Sequence, residues 1–96
     1  ETHDEREVER ALAIDADIIG VNNRDLRDFS IHLETTKRLA PYIPDDKVFV
    51  AESGIIRDED VSFLKESHVD AFLIGRALME AEHPKLVAKR WKEIGR

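Results

Sequence analysis

Apolar and polar positions alternate along this chain in blocks whose period switches between that of a helix and that of a buried strand. From Asp4 to about Ala13 the pattern is helical, with Val8, Ala11 and Leu12 on one face at i, i+3, i+4 spacing. Asp4 can cap the first turn, and Glu7 three residues later completes a capping-box pattern. The run Asp17-Ile18-Ile19-Gly20-Val21-Asn22 is short, apolar and β-branched until its polar end, which predicts a buried strand. A loop from Asn23 to His32 carries Arg24, Asp25 and Phe29. A second helix is expected from Leu33 or Glu34 to Ala40, stopped by Pro41. After a turn at Pro44-Asp45-Asp46, the stretch Val48-Phe49-Val50-Ala51-Glu52 predicts the next strand, closed by Ser53-Gly54. Asp58 is the expected cap of a third helix that turns Val61 and Leu64 inward. Ala71-Phe72-Leu73-Ile74 predicts a third strand closed by Gly75, followed by a short helical turn from Ala77 to Ala81. Pro84 opens a final amphipathic helix with Val87, Trp91 and Ile94 on its apolar face.

This order is one helix followed by three strand–helix units. Strands alternating with helices define the α/β class. Each strand is almost wholly apolar, so both of its faces are expected to be covered, as in a parallel sheet. The 96 residues make one small domain at most, and a chain of this size buries only a modest core. Three strands cannot close a barrel. Residue 1 is Glu1 and not Met. The expectation is that more chain belongs before it, or that a second copy covers the open sheet.

Charge narrows the functional classes. Asp, Glu, Lys and Arg make up 38% of the residues with a net of −6, and both signs are scattered along the chain. That distribution suits solvated helix faces and argues against a nucleic-acid surface, which needs a basic stripe. The absence of cysteine removes disulfides, thiolate metal sites and cysteine nucleophiles. Apolar runs are far shorter than the roughly 20 residues that span a bilayer, so no membrane role and a cytoplasmic location are expected.

The positions with chemical potential share one place in their units, just past the C-terminal end of a strand. Asn22 and Arg24 follow the first, Glu52, Ser53 and Gly54 the second, and Gly75 the third. Glu1 precedes the Asp4 cap as another strand end would. Parallel α/β folds bind ligands outside the carboxyl ends of their strands. Gly54 and Gly75 would let backbone turn and approach a ligand without a Cβ clash, or they are ordinary turn residues. Glu52 is a carboxylate at a strand mouth, where burial raises and a neighbouring cation lowers its pKa, or a solvated strand-end acid. Arg24 suits a carboxylate or phosphate, unless Asp25 pairs with it. His3, His32, His68 and His83 lack metal-ligand spacing and are expected at the surface. Trp91 is expected in the core, and Lys85, Lys89, Arg90, Lys92 and Arg96 on a solvated helix face.

Four stretches, in order, resemble one family, the indole-3-glycerol-phosphate synthases. Glu1-Thr2-His3-Asp4 is similar to the end of the family's fifth strand, E-V-H-D. Ile19 to Leu26 resembles its sixth strand, G-(I/V)-N-x-R-D-L, and Val50 to Ile55 its seventh, V-(A/S)-E-S-G-I. Leu73 to Met79 resembles its eighth, L-(I/V)-G-x-x-(L/I)-M, and Leu33 to Pro44 is similar to the helix between. The resemblance covers essentially all of the chain. It implies that residues 1–96 are the C-terminal portion of a phosphate-binding (β/α)8 barrel.

The resemblance further implies a carbon–carbon lyase of tryptophan biosynthesis. Such an enzyme converts 1-(2-carboxyphenylamino)-1-deoxyribulose 5-phosphate to indole-3-glycerol phosphate by ring closure, decarboxylation and dehydration, without metal or organic cofactor. On that basis Glu1, Asn22 and Glu52 would be catalytic, Arg24, Leu26 and Ser53 would bind substrate, and Gly54, Gly75 and Arg76 would hold phosphate. Arg76 stands where some members carry a small hydroxylated residue. The family's general-acid lysines and a further glutamate belong to earlier strands, and Lys47 precedes its strand, on the opposite face of the sheet. The chain alone is therefore expected to lack synthase activity. Two other readings stand beside this one: an isomerase or epimerase on a related phosphate-binding barrel, and a non-catalytic half-barrel that self-associates.

Overall fold

The computed structural model describes residues 1–96. It contains α1 (Glu5–Ala13), β1 (Ile18–Asn22), α2 (Glu34–Leu39), β2 (Val48–Glu52), α3 (Asp58–Lys65), β3 (Ala71–Leu73), α4 (Arg76–Glu80) and α5 (Pro84–Ile94). The strands form one parallel sheet in the order β1-β2-β3, with Asn22 level with Glu52 and Glu52 level with Leu73. Thr2 adds a further parallel bridge to Val21 through Thr2 N–H to Gly20 O (2.7 Å) and Asn22 N–H to Thr2 O (2.9 Å). Glu1 thus lies beside β1 as the end of a fourth strand would.

Helix starts follow local side-chain chemistry. The Asp4 carboxylate accepts the Glu7 N–H (2.9 Å), as expected, while the Glu7 carboxylate reaches back to the His3 N–H (2.7 Å) rather than to Asp4. At α3 the expectation of an Asp58 cap fails. Arg57 takes the cap position, and Asp60 accepts the N–H groups of Ile56 and Arg57 at 2.9 Å each. Asp58 is drawn the other way, to the Trp91 indole N–H (2.8 Å) and to the Arg90 guanidinium, and so ties α3 to α5. Pro41 does not end α2 outright, because Ala40–Tyr42 continues it as a 3-10 turn in which the missing N–H is harmless. The third strand stops at Leu73, one residue short of Ile74, and α4 starts at Arg76, one residue early.

The pleat sends alternate residues to opposite faces. Ile19, Val21, Phe49 and Ala51 point at the helices and are buried, Phe49 fully. They divide into two clusters, Val8–Ile19–Val21–Leu39–Ile43–Phe49 under α1 and α2, and Ala51–Ile55–Val61–Leu64–Trp91 under α3 and α5. Burying one large side chain such as Phe49 contributes roughly 1.5–3 kcal/mol. On the opposite face Ile18, Val48 and Leu73 are 64%, 43% and 61% exposed. The expectation that both faces are covered is thereby corrected, since every helix packs on one side. Trp91 is in the core as expected.

Candidate active site

At the carboxyl end of the sheet, eight of the nine residues singled out from sequence line one cleft of about 610 Å³: Glu1, Asn22, Arg24, Glu52, Ser53, Gly54, Gly75 and Arg76. The ninth, Leu26, is 53% exposed and lies in a neighbouring polar cleft of about 770 Å³. The β1–α2 loop carries it away from the sheet axis. Asn22 and Arg24 line both clefts. Lys47 sits at the other end of the sheet, 2.6 Å from Asp15.

Glu52 is half-buried at the end of β2. Burial first, and the neighbouring Glu1 carboxyl second, push its own carboxyl above the ordinary range, while His3 pulls the other way. Two adjacent carboxyls whose environments differ can divide proton donation and proton acceptance between them. Glu1 is itself held from behind. Its Oε2 lies 3.2 Å from His3 Nε2, in ion-pair range but not aligned as a hydrogen bond, and His3 Nδ1 lies 2.9 Å from Glu7 Oε1. His3, expected at the surface, is only partly exposed and lies between these two carboxylates. His68 is exposed as expected, and its Nε2–H donates to Ala40 O (2.9 Å) while its ring meets Phe49 edge-on.

Arg24 is not paired with Asp25. The Asp25 carboxylate grips Arg27 through Nε (3.0 Å) and Nη2 (2.7 Å), which holds its pKa down at about 2. Arg24 is left with a buried Nε lacking a hydrogen-bond partner. Its backbone N–H is fixed by Asn22 Oδ1 (2.9 Å), a short turn that brings both side chains to the mouth. Arg76 is mostly exposed and bonds to Glu80 (3.0 Å) across one helical turn.

The turn after β2 is the most constrained part of the site. Ser53 and Gly54 take φ values of +70° and +85° in succession. A Cβ on Gly54 would lie 2.6 Å from Ile31 Cγ2 and 2.9 Å from Leu33 Cδ2, so glycine is required there both by conformation and by space. Gly54→Ala is expected to destabilise the chain by about 2 kcal/mol, read as a lowered urea midpoint with unchanged slope. Gly75 differs. Its φ is −122° and a Cβ would meet nothing within 4 Å, so the steric reason expected for this glycine does not hold within this chain.

The left-handed Ser53 is secured by a residue that sequence reasoning missed. Asn23, fully buried, donates from Nδ2 to Ser53 O (3.2 Å), and its Oδ1 accepts the Thr36 hydroxyl (2.7 Å) and Thr36 N–H (3.2 Å). Its backbone N–H bonds to Glu52 O (2.8 Å). One side chain thus joins the mouths of β1 and β2 to the start of α2. A polar residue directly after a buried strand was the available signal, although Asn22 and Arg24 carried the same one.

No three His, Asp or Glu side chains gather as a metal-binding group, and no helix is long and apolar enough to cross a membrane. What the fold and cleft define is a segment of a parallel α/β protein of the barrel type, with a cleft at the carboxyl ends of its strands, the place where such folds bind ligands. The family can be named more closely. The indole-3-glycerol phosphate synthase family model matches residues 1–91, and the chain belongs to that family. It is 57% identical over 94 residues to the indole-3-glycerol phosphate synthase of Acetivibrio thermocellus, an alignment covering 98% of this chain and 36% of that protein. It is 49% identical over 84 residues to the synthase of Bordetella pertussis, covering 88% and 32%. The chain spans about a third of the length of the curated relatives it matches.

Proposed function

We propose that this chain supplies the last three strand–helix units of an indole-3-glycerol phosphate synthase, a cytoplasmic enzyme that closes the indole ring with loss of carbon dioxide and water. The observation that carries this reading is the pairing of Glu52, its carboxyl raised by burial and by Glu1, with Glu1 in a cleft that Asn22 and Arg24 also line. Dehydration requires that the departing oxygen gain a proton and that the ring system lose one, and two neighbouring carboxyls set in different environments would serve both needs. The substrate carries a carboxylate and a phosphate at opposite ends. Arg24, Asn22 and Ser53 would hold and orient the carboxylate end, with Leu26 closing from the β1–α2 loop. Gly54, Gly75 and Arg76 would receive the phosphate, whose charge suits exposed backbone N–H groups and a guanidinium. The steps are proton transfers and bond reorganisation without net oxidation, so no cofactor is invoked. The remaining donors would come from the strands that complete the barrel.

Genetic complementation tests this reading. A tryptophan-requiring bacterium lacking its synthase should not grow with this chain alone. It should grow when the chain is joined to the earlier strands of a relative such as the Acetivibrio thermocellus enzyme. Failure of the joined barrel, despite soluble expression, would count against it. A second reading, a non-catalytic half-barrel paired with another copy of itself, draws on the exposed Ile18, Val48 and Leu73 face. It requires a concentration-dependent dimer and no activity in the joined barrel.

A further inference from the structure

The face of the sheet turned away from the helices contains one position without a side chain. Gly20 lies in the middle of β1, where glycine weakens a strand and marks a close approach by another group. In register it is level with Val50, and the Thr2–Val21 bridge places Glu1 on its other side. The group that approaches is the carboxyl of Glu52. A Cβ on Gly20 would lie 3.2 Å from Glu52 Cδ and closer still to Oε2, inside van der Waals contact. The three atoms nearest that position all belong to Glu52, and Gly20 carries no positive φ, so backbone conformation does not demand the glycine.

We infer that Gly20 is a positioning residue, whose missing side chain lets the Glu52 carboxyl lean across β1 to meet Glu1. Glu52 starts one row nearer the mouth, level with Asn22. To reach Glu1 it must cross the row that Gly20 occupies, and even a methyl group would block that path. The obstructed atoms are the free end of a flexible side chain, so the backbone need not move when the path closes. Gly20 would therefore control the pairing of the two carboxyls and leave the fold untouched. The inference rests on the synthase reading only for its consequence in turnover.

Gly20→Ala separates these points. The first readout is the titration of the Glu52 side-chain carboxyl by carbon-13 NMR in the 96-residue chain and in its Gly20→Ala variant. The groups facing this carboxyl are Glu1, the Glu1 amino group and His3, with Arg24, Arg76 and Glu80 lining the same cleft. Moving Glu52 away from Glu1 should lower its midpoint, with no change in amide shifts on the helix-packed face at Ile19, Val21 and Phe49. The second readout is kcat in the joined barrel, which should fall about 10- to 100-fold for a displaced catalytic group. In a Glu52→Gln background, Gly20→Ala should add no further loss, because it acts through Glu52. An unmoved midpoint, or a loss that adds in full to that of Glu52→Gln, would overturn the inference and leave the synthase reading intact. If the joined barrel is inactive with Gly20 in place, the synthase reading falls, and the titration alone still decides the role of Gly20.

Discussion

Replacing Glu52 with glutamine in a complete barrel is expected to lower kcat by about 10²- to 10⁴-fold, the usual contribution of a positioned general acid or base. The substitution keeps shape and hydrogen bonding but removes the titrating proton, so KM should change far less than kcat. Stability should move the opposite way. The Glu52 carboxyl titrates above its ordinary value of 4.5 in the folded chain because burial and Glu1 disfavour its charge. The folded state then binds this proton more tightly than the unfolded state does. Stability consequently falls as pH rises from the ordinary value through the raised one, and the loss is complete above it. Glu52→Gln removes the penalty. The variant should be more stable than the parent at neutral pH and indistinguishable from it well below pH 4.5, as read by urea midpoints at the two pH values. Activity lost with stability gained would mark a residue held in place for chemistry.

The largest expected loss of stability follows from Asn23→Ala. Three side-chain hydrogen bonds disappear: the buried Thr36 hydroxyl and the partly buried Ser53 carbonyl lose their partner, and the Thr36 N–H keeps only its bond to Leu33 O (3.2 Å). Leaving buried polar groups unpaired costs about 1–3 kcal/mol each and does not add in full, so a net destabilisation of about 3 kcal/mol is expected. The effect should reach the site. Ser53, held at φ +70°, depends on Asn23 for its carbonyl contact. Amide hydrogen exchange should therefore quicken at Ser53, Gly54 and Ile55 more than in β3. Equal protection in the variant and the parent would show that the turn is secured by other contacts.

How much of this was legible beforehand depended on range. The alternation of helix and strand, the buried face of α1 and the capping by Asp4 are local matters, and the sequence pattern carried them. The cap of α3 was misplaced because two acidic residues, Asp58 and Asp60, compete for one role. The choice is made by Trp91 and Arg90, more than thirty residues away. The sheet's open face was misjudged because an apolar run records the environment of the chain's folded whole, whereas these helices cover a single side. Among the candidate residues, strand-end position was enough to gather eight into one cleft. Leu26 fell outside it because a loop's path depends on pairings such as Arg24 with Ile31, which composition does not encode. Asn23, His3 and Gly20 went unrecognised for a related reason. Each acts on another candidate residue, and such contacts exist only once the strands are aligned.

The most direct measurement is turnover of 1-(2-carboxyphenylamino)-1-deoxyribulose 5-phosphate, followed by the fluorescence of the indole product. The purified 96-residue chain would be compared with a barrel in which the same chain is joined to the earlier strands of a relative. The account predicts no product from the chain alone and steady turnover from the joined barrel, lowered about 10²- to 10⁴-fold by Glu52→Gln. Product from the chain alone, or a folded joined barrel that makes none, would contradict it.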